Sequence, residues 1–293
     1  MKKTFVFTAI LSCLAAILRI LQLIFVIDYN GHFAVLTGGD VALCYSVYIV
    51  MIAAVIIGLV DYIKYRKVSA EVLSADGKFF AVFSLALAVF AMILAGLGIG
   101  DMLTTKKIDP LCILAFLSAL YFAVLAFELF KDKKSVFSDI FGIFPPVYVV
   151  VKGIFLFFES FKSINKSSMK IEMLTICAVA LFMVSLVLLR QGATLSFGRF
   201  RFSASVFCVF AAAYAADELY EIFTVFGDKK PYLPQFVFIM FTLSLVFIAL
   251  YFLNKKAEIK QQQPAIQEQG ESALDDDTKQ KLDVLLQDIE EEE

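Results

Sequence analysis

The sequence predicts an all-α fold, a polytopic transmembrane helix bundle followed by a disordered acidic C-terminal tail. Three observations predict it. The 293 residues are 60% hydrophobic and 18% charged, against about a quarter charged in an ordinary soluble domain. The charges are clustered, leaving long apolar runs between short polar ones. Eight of those runs are long enough to cross a hydrocarbon core, which takes about 20 residues of helix. None shows the alternation of a barrel strand, and a backbone in lipid must satisfy its own hydrogen bonds, so each run is read as a helix.

In chain order, the first run covers 5–27. It follows Met1-Lys2-Lys3 and is longer than the apolar core of a signal peptide, so it is read as a retained span. Ser12, Arg19 and Gln22 form a polar stripe on it. The second run, 41–60, ends at Asp61-Tyr62. The third, 79–100, carries Gly96, Gly98 and Gly100, and the fourth, 111–130, has Glu128 near its end.

The fifth run, 137–158, holds Pro145-Pro146 and Lys152. Were it not to cross, seven spans would remain and the C-terminus would lie outside. Its length and apolarity favour eight. The sixth covers 171–190. The seventh, 203–226, contains Asp217, Glu218 and Glu221, each costing roughly 2.5–3.5 kcal/mol at a helix centre. The eighth covers 233–253.

Lysine and arginine set the orientation. With the N-terminus inside, the inner segments hold fifteen and the outer loops seven. A plasma membrane protein with both termini cytosolic follows. Two domains are expected: the membrane bundle, 1–256, and a cytosolic tail, 257–293. From Asn254 onward there are 5 basic and 12 acidic residues, which does not suit nucleic acid. Within the tail, Leu282, Leu285, Leu286 and Ile289 recur at helical spacing, so a short helix over 278–289 could dock a cytosolic protein partner. The remaining partner is the lipid bilayer.

Depth along the predicted spans gathers a candidate substrate-binding set. Arg19 and Gln22 in the first span, Lys152 in the fifth, and Asp217 and Glu221 in the seventh all fall in the outer half of the membrane at about 1.5 Å per residue. The reading is a buried polar cluster linking Arg19 and Lys152 to Asp217 and Glu221. Glu128 is expected to reach the interface or pair with loop lysines.

No catalytic residue, metal ligand or cofactor is predicted. The five cysteines fall in different apolar runs, and His32 is the only histidine, so zinc-ligand spacings are absent. Gly98-Ile99-Gly100-Asp101 resembles the GxGD pattern of intramembrane aspartyl proteases. That chemistry requires a second carboxylate a few ångströms away. Asp61, the nearest candidate by sequence context, is predicted at the opposite membrane surface, about 30 Å distant. The three glycines are read as permitting close helix packing. Two function classes stay open: a small-solute or ion transporter using the outer-half cluster, and a non-transporting sensor, scaffold or assembly factor acting through the tail.

Overall fold

A computed structural model describes residues 2–26, 38–66, 77–106, 108–131, 135–160, 167–190, 197–224 and 233–254. They form nine helices, and no strand occurs among the described residues. Eight crossings are long and apolar enough to span a membrane. The helices are α1 (Lys2–Phe25), α2 (Gly38–Tyr65), α3 (Gly77–Thr105), α4 (Pro110–Lys131), α5 (Val136–Phe141), α6 (Phe144–Ser160), α7 (Ser167–Arg190), α8 (Phe197–Thr224) and α9 (Leu233–Asn254). The expected first outer loop with His32, the acidic tail and its expected helix over 278–289 lie outside the described residues.

α5 and α6 together are long and apolar enough to make the fifth crossing, as the reading of eight spans requires. The prolines do not break a helix here; they begin one. Gly142 caps α5, and its N–H bonds the Ser138 carbonyl. Pro145 and Pro146 then occupy the first turn of α6, where a missing N–H leaves no bond unmade. The first N–H after them, that of Val147, donates to the Ile143 carbonyl.

Each α1 side chain sorts by face. Thr8, Ser12, Ala15, Arg19, Gln22 and Val26 are buried, while Phe7, Ile10, Leu14, Ile17 and Ile24 are exposed. The spacing of three and four residues is that of one helical face. The sense is inverted from a soluble protein, because here the outer solvent is hydrocarbon and polar side chains must turn inward.

α8 is the least apolar and the most buried of the crossings, and it packs against α1, α2, α7 and α9. Many of its inward residues are small, with Ala204, Ser205, Ala211, Ala213 and Ala215 all buried. Small side chains allow backbones to approach, and van der Waals packing takes the place of hydrophobic drive between helices in lipid. Aromatic rings fill the wider seams: Phe182 stacks on Phe207 between α7 and α8 at 4.9 Å, and Phe200 meets Phe252 edge-on between α8 and α9 at 5.4 Å.

The cross-helix contacts fix directions. Thr8 bonds Ser205, Arg19 bonds Asp217, and Thr4 bonds Asp61, which pairs with Arg201. The offset between α1 and α8 stays nearly constant, so these two helices run parallel. The end of the bundle where α1 begins is called below the N-terminal face, and the opposite end the far face. α3 and α4 form an antiparallel hairpin, closed by Lys106 at φ 54°, whose N–H bonds the Met102 carbonyl. Of the three glycines expected to permit close packing, only Gly98 does so. A Cβ there would lie 2.8 Å from the Cys112 Cβ, whereas Gly96 and Gly100 have nothing within 4 Å.

Candidate functional site

The described ion pairs fall at two depths. Towards the far face, Arg19 and Asp217 are joined through Oδ1 of the carboxylate, with Nε at 3.2 Å and Nη2 at 2.9 Å. Arg19 is 0% exposed and the Asp217 side chain 6%. Nη1 donates to Oε1 of Gln22 at 3.0 Å, and the Gln22 amide turns its own N–H groups to the carbonyls of Leu43 and Cys44 at 2.8 and 2.9 Å. This chain of bonds ties α1, α2 and α8 together. Arg19 and Gln22 are three residues apart on one helix, so they stack on one face. A guanidinium taken out of water must have its donors met, or its burial costs several kcal/mol (about 3–5 when a partner is removed).

Of the candidate residues predicted, the structure joins Arg19, Gln22 and Asp217. Lys152 and Glu221 stand apart from that hydrogen-bonded set. The ammonium of Lys152 lies 3.1 Å from the centroid of the Phe238 ring on α9, a cation–π contact of the kind favoured by desolvation. Its electrostatic partners are the carboxylates of Glu172 on α7 and Glu218 on α8. Glu218 also feels Asp217 and Glu221. Lys152, Glu172 and Glu218 are partly exposed and Glu221 is exposed. The far-face half thus carries two arrangements side by side: a sealed pair on α1 and α8, and a more open group of one ammonium and several carboxylates among α6, α7 and α8.

Two pairs lie nearer the N-terminal face. Arg201, 0% exposed, donates from Nε to Oδ2 of Asp61 at 2.8 Å. Thr4 bonds the other carboxylate oxygen at 3.1 Å, and the guanidinium sits 5.6 and 5.4 Å from the rings of Tyr65 and Phe197. Glu128 accepts from the Ser135 N–H at 2.7 Å and from Nη2 of Arg190 at 3.4 Å. The expectation that Glu128 would reach the interface or pair with loop lysines is therefore corrected. Glu128 is buried, and in that position an arginine and a backbone N–H supply what water cannot. Sequence reasoning counted Arg190 and Arg201 among the fifteen basic residues of the inner side. The signal it lacked was that each falls inside a helix at the depth of an unmatched carboxylate, Glu128 or Asp61.

The aspartyl-protease resemblance finds no support in this geometry. Asp61 is engaged by Arg201 and Thr4 at the N-terminal face, while Asp101 is exposed near the far end of α3. Among the described residues, no group of three or more His, Cys, Asp or Glu side chains could hold a metal ion.

The chain matches no protein family, no curated protein and no solved structure. Eight apolar crossings with inward-facing polar stripes define a multi-pass α-helical membrane protein.

Proposed function

We propose that the protein is a small-solute or ion transporter of the cell membrane, with both termini cytosolic and its site in the outer half. The observation that carries this reading is Lys152, whose ammonium packs on the Phe238 ring from the one interrupted crossing among those described, close to Glu172 and Glu218 on two other helices. Ionisable groups at membrane depth cost free energy and are kept where a pathway or pairing needs them. Interrupted crossings are where many transporters place their substrate. In this reading Lys152 and Glu221, with Glu172 and Glu218, supply the charges that meet the cargo. Arg19, Gln22 and Asp217 supply a fixed wall against which the other helices move. Carboxylates on α7 and α8 beside the ammonium of α6 suit a small charged solute or an ion.

The test is current from protein reconstituted in vesicles on a solid-supported membrane, driven by Na⁺, K⁺ or proton gradients and by a panel of small organic cations. A saturable current reduced about tenfold in Glu218→Gln and Lys152→Gln, with unchanged melting temperature, is expected if these groups bind the cargo. A current identical in both variants, or none for any cation in the panel, would sink the reading.

A second reading, a non-transporting sensor or scaffold, is favoured by the closed Arg19–Asp217 and Arg201–Asp61 pairs, which suit a rigid body. Deleting residues 261–293 separates the two. A transporting core keeps its current, and a tail-dependent adaptor loses its partner.

A further inference from the structure

Three of the buried or half-buried cations in the described crossings close on a carboxylate. Arg19 meets Asp217 at 2.9 Å, Arg190 meets Glu128 at 3.4 Å and Arg201 meets Asp61 at 2.8 Å. Lys152 does not. Its ammonium rests on the Phe238 ring, and Glu172 and Glu218 act on it without closing on it. Tyr214, 2% exposed, turns its ring edge-on to the same Phe238 at 6.1 Å. Its hydroxyl makes no hydrogen bond among the described residues, and neither does the carboxyl group of Glu218 one turn further along α8. Glu172, Asp217 and Glu218 all act electrostatically on that hydroxyl, as does Tyr148 of α6. An ammonium, a phenol and a carboxyl group thus gather around one ring, each short of a hydrogen-bonded partner.

In surroundings that supply little water, a carboxylate without a closed partner is costly, and taking up a proton removes the charge. The groups around Glu218 favour a proton over a metal cation. Those acting on it are Glu172 of α7, Asp217 and Glu221 of α8, and Lys152 of α6. Asp217 is held by Arg19 of α1. α9 has no charged residue, and among the described side chains of α2, Asp61 and Lys64 lie towards the N-terminal face. Neighbouring carboxylates discourage one another's ionisation and share protons. They do not converge on a metal ion, since no group of three or more His, Cys, Asp or Glu among the described residues could hold one.

We propose that Glu218 is a proton-binding site with Lys152 as its movable counter-charge. With the carboxyl group protonated, the ammonium stays on the Phe238 ring. When the proton leaves to water, the O–H bond breaks and the ammonium, on its flexible four-carbon stem, swings to the carboxylate. Return of a proton from water reverses the step, and Lys152 keeps its own three protons throughout. The inference rests on the transport reading only for its consequence, that the ion coupled to movement of the cargo is a proton. The proton itself is read without any current.

The full chain in lipid vesicles is titrated by infrared difference spectroscopy, which reads the C=O stretch of protonated carboxyl groups directly. Of the carboxyl bands that titrate, one should vanish in Glu218→Gln. In Lys152→Gln the midpoint of that band should rise by about one pH unit, a tenfold tighter hold on the proton, because the opposing charge is gone. In Phe238→Leu the ammonium loses its ring and stays nearer Glu218, so the midpoint should fall. The melting temperature of each variant checks that it is folded. Titrating bands unchanged in Glu218→Gln would overturn the proposal, as would a midpoint that does not move in opposite directions in Lys152→Gln and Phe238→Leu. The two readings separate cleanly: a band lost in Glu218→Gln, with no proton-driven current in the parent, supports the proton site and sinks its coupling to transport.

Discussion

At the residue scale the protein is governed by the cost of charge in lipid. Arg19 and Asp217 each lower the cost of the other's burial, and their separation of 198 positions in the chain means the pair is made by tertiary structure alone. Asp217→Asn removes the carboxylate charge that faces a fully buried guanidinium, so the melting temperature in detergent should fall by an amount equivalent to about 3 kcal/mol. Arg19→Met should cost less than this, because Asp217 alone can neutralise by taking a proton. The exchanged pair, Arg19→Asp with Asp217→Arg, should recover part of the loss of either single reversal. A double variant no more stable than the sum of its singles would show that the two groups are not coupled. Arg201 and Asp61 repeat the logic towards the other end of α8, where the partner helix is α2. There the rings of Tyr65 and Phe197 stand around the guanidinium, so Arg201→Lys is not a conservative change: the fork that reaches both Asp61 and the Leu253 carbonyl is lost.

At the element scale, apolar length decides what forms and close contacts decide how it packs. The eight crossings were legible because roughly 20 consecutive apolar residues admit little else. The association of Arg19 with Asp217 was legible from depth, since residues at equal distances along parallel spans meet at one level. Lys152 was legible at the correct depth but not in its company, because depth does not say which neighbours a helix has around the bundle. Glu172 was missed for the same reason, and Glu128 because its partners come from the end of α7 and from the Ser135 backbone. The glycine reading was too generous: composition shows where a backbone approach is permitted, and only the packing shows where it happens. Gly98→Val should therefore destabilise the α3–α4 hairpin by about 1–3 kcal/mol, because its Cβ would fall 2.8 Å from that of Cys112. Gly96→Ala and Gly100→Ala should leave melting within about 0.5 kcal/mol of the parent or raise it, as alanine favours helix over glycine. Equal losses at all three positions would show that α3 and α4 pack by another face.

At the scale of the whole molecule, the parallel course of α1 and α8 constrains the topology. Helices that start on the same face must be separated by an even number of crossings from start to start. α1 and the elements between it and α8 supply six only if α5 and α6 together cross. The Thr8 and Ser205 hydroxyls, 3.3 Å apart, are the marker of that course. In a background with the five native cysteines replaced, Thr8→Cys with Ser205→Cys should form a disulfide on mild oxidation, because side-chain atoms this close bring the Cβ atoms into bonding range. Thr8→Cys with Ala216→Cys should not, lying about 16 Å apart along the helix axis by an eleven-residue rise. Accessibility completes the test. Single cysteines at Lys3 and Asn254, both exposed, should be labelled by an impermeant maleimide from one side of the membrane, and one at Ile108, exposed in the α3–α4 turn, from the other. If position 254 were instead labelled with position 108, the number of crossings would be odd. The fifth crossing would then fail, and with it the depth that places Lys152 beside the carboxylates of α7 and α8.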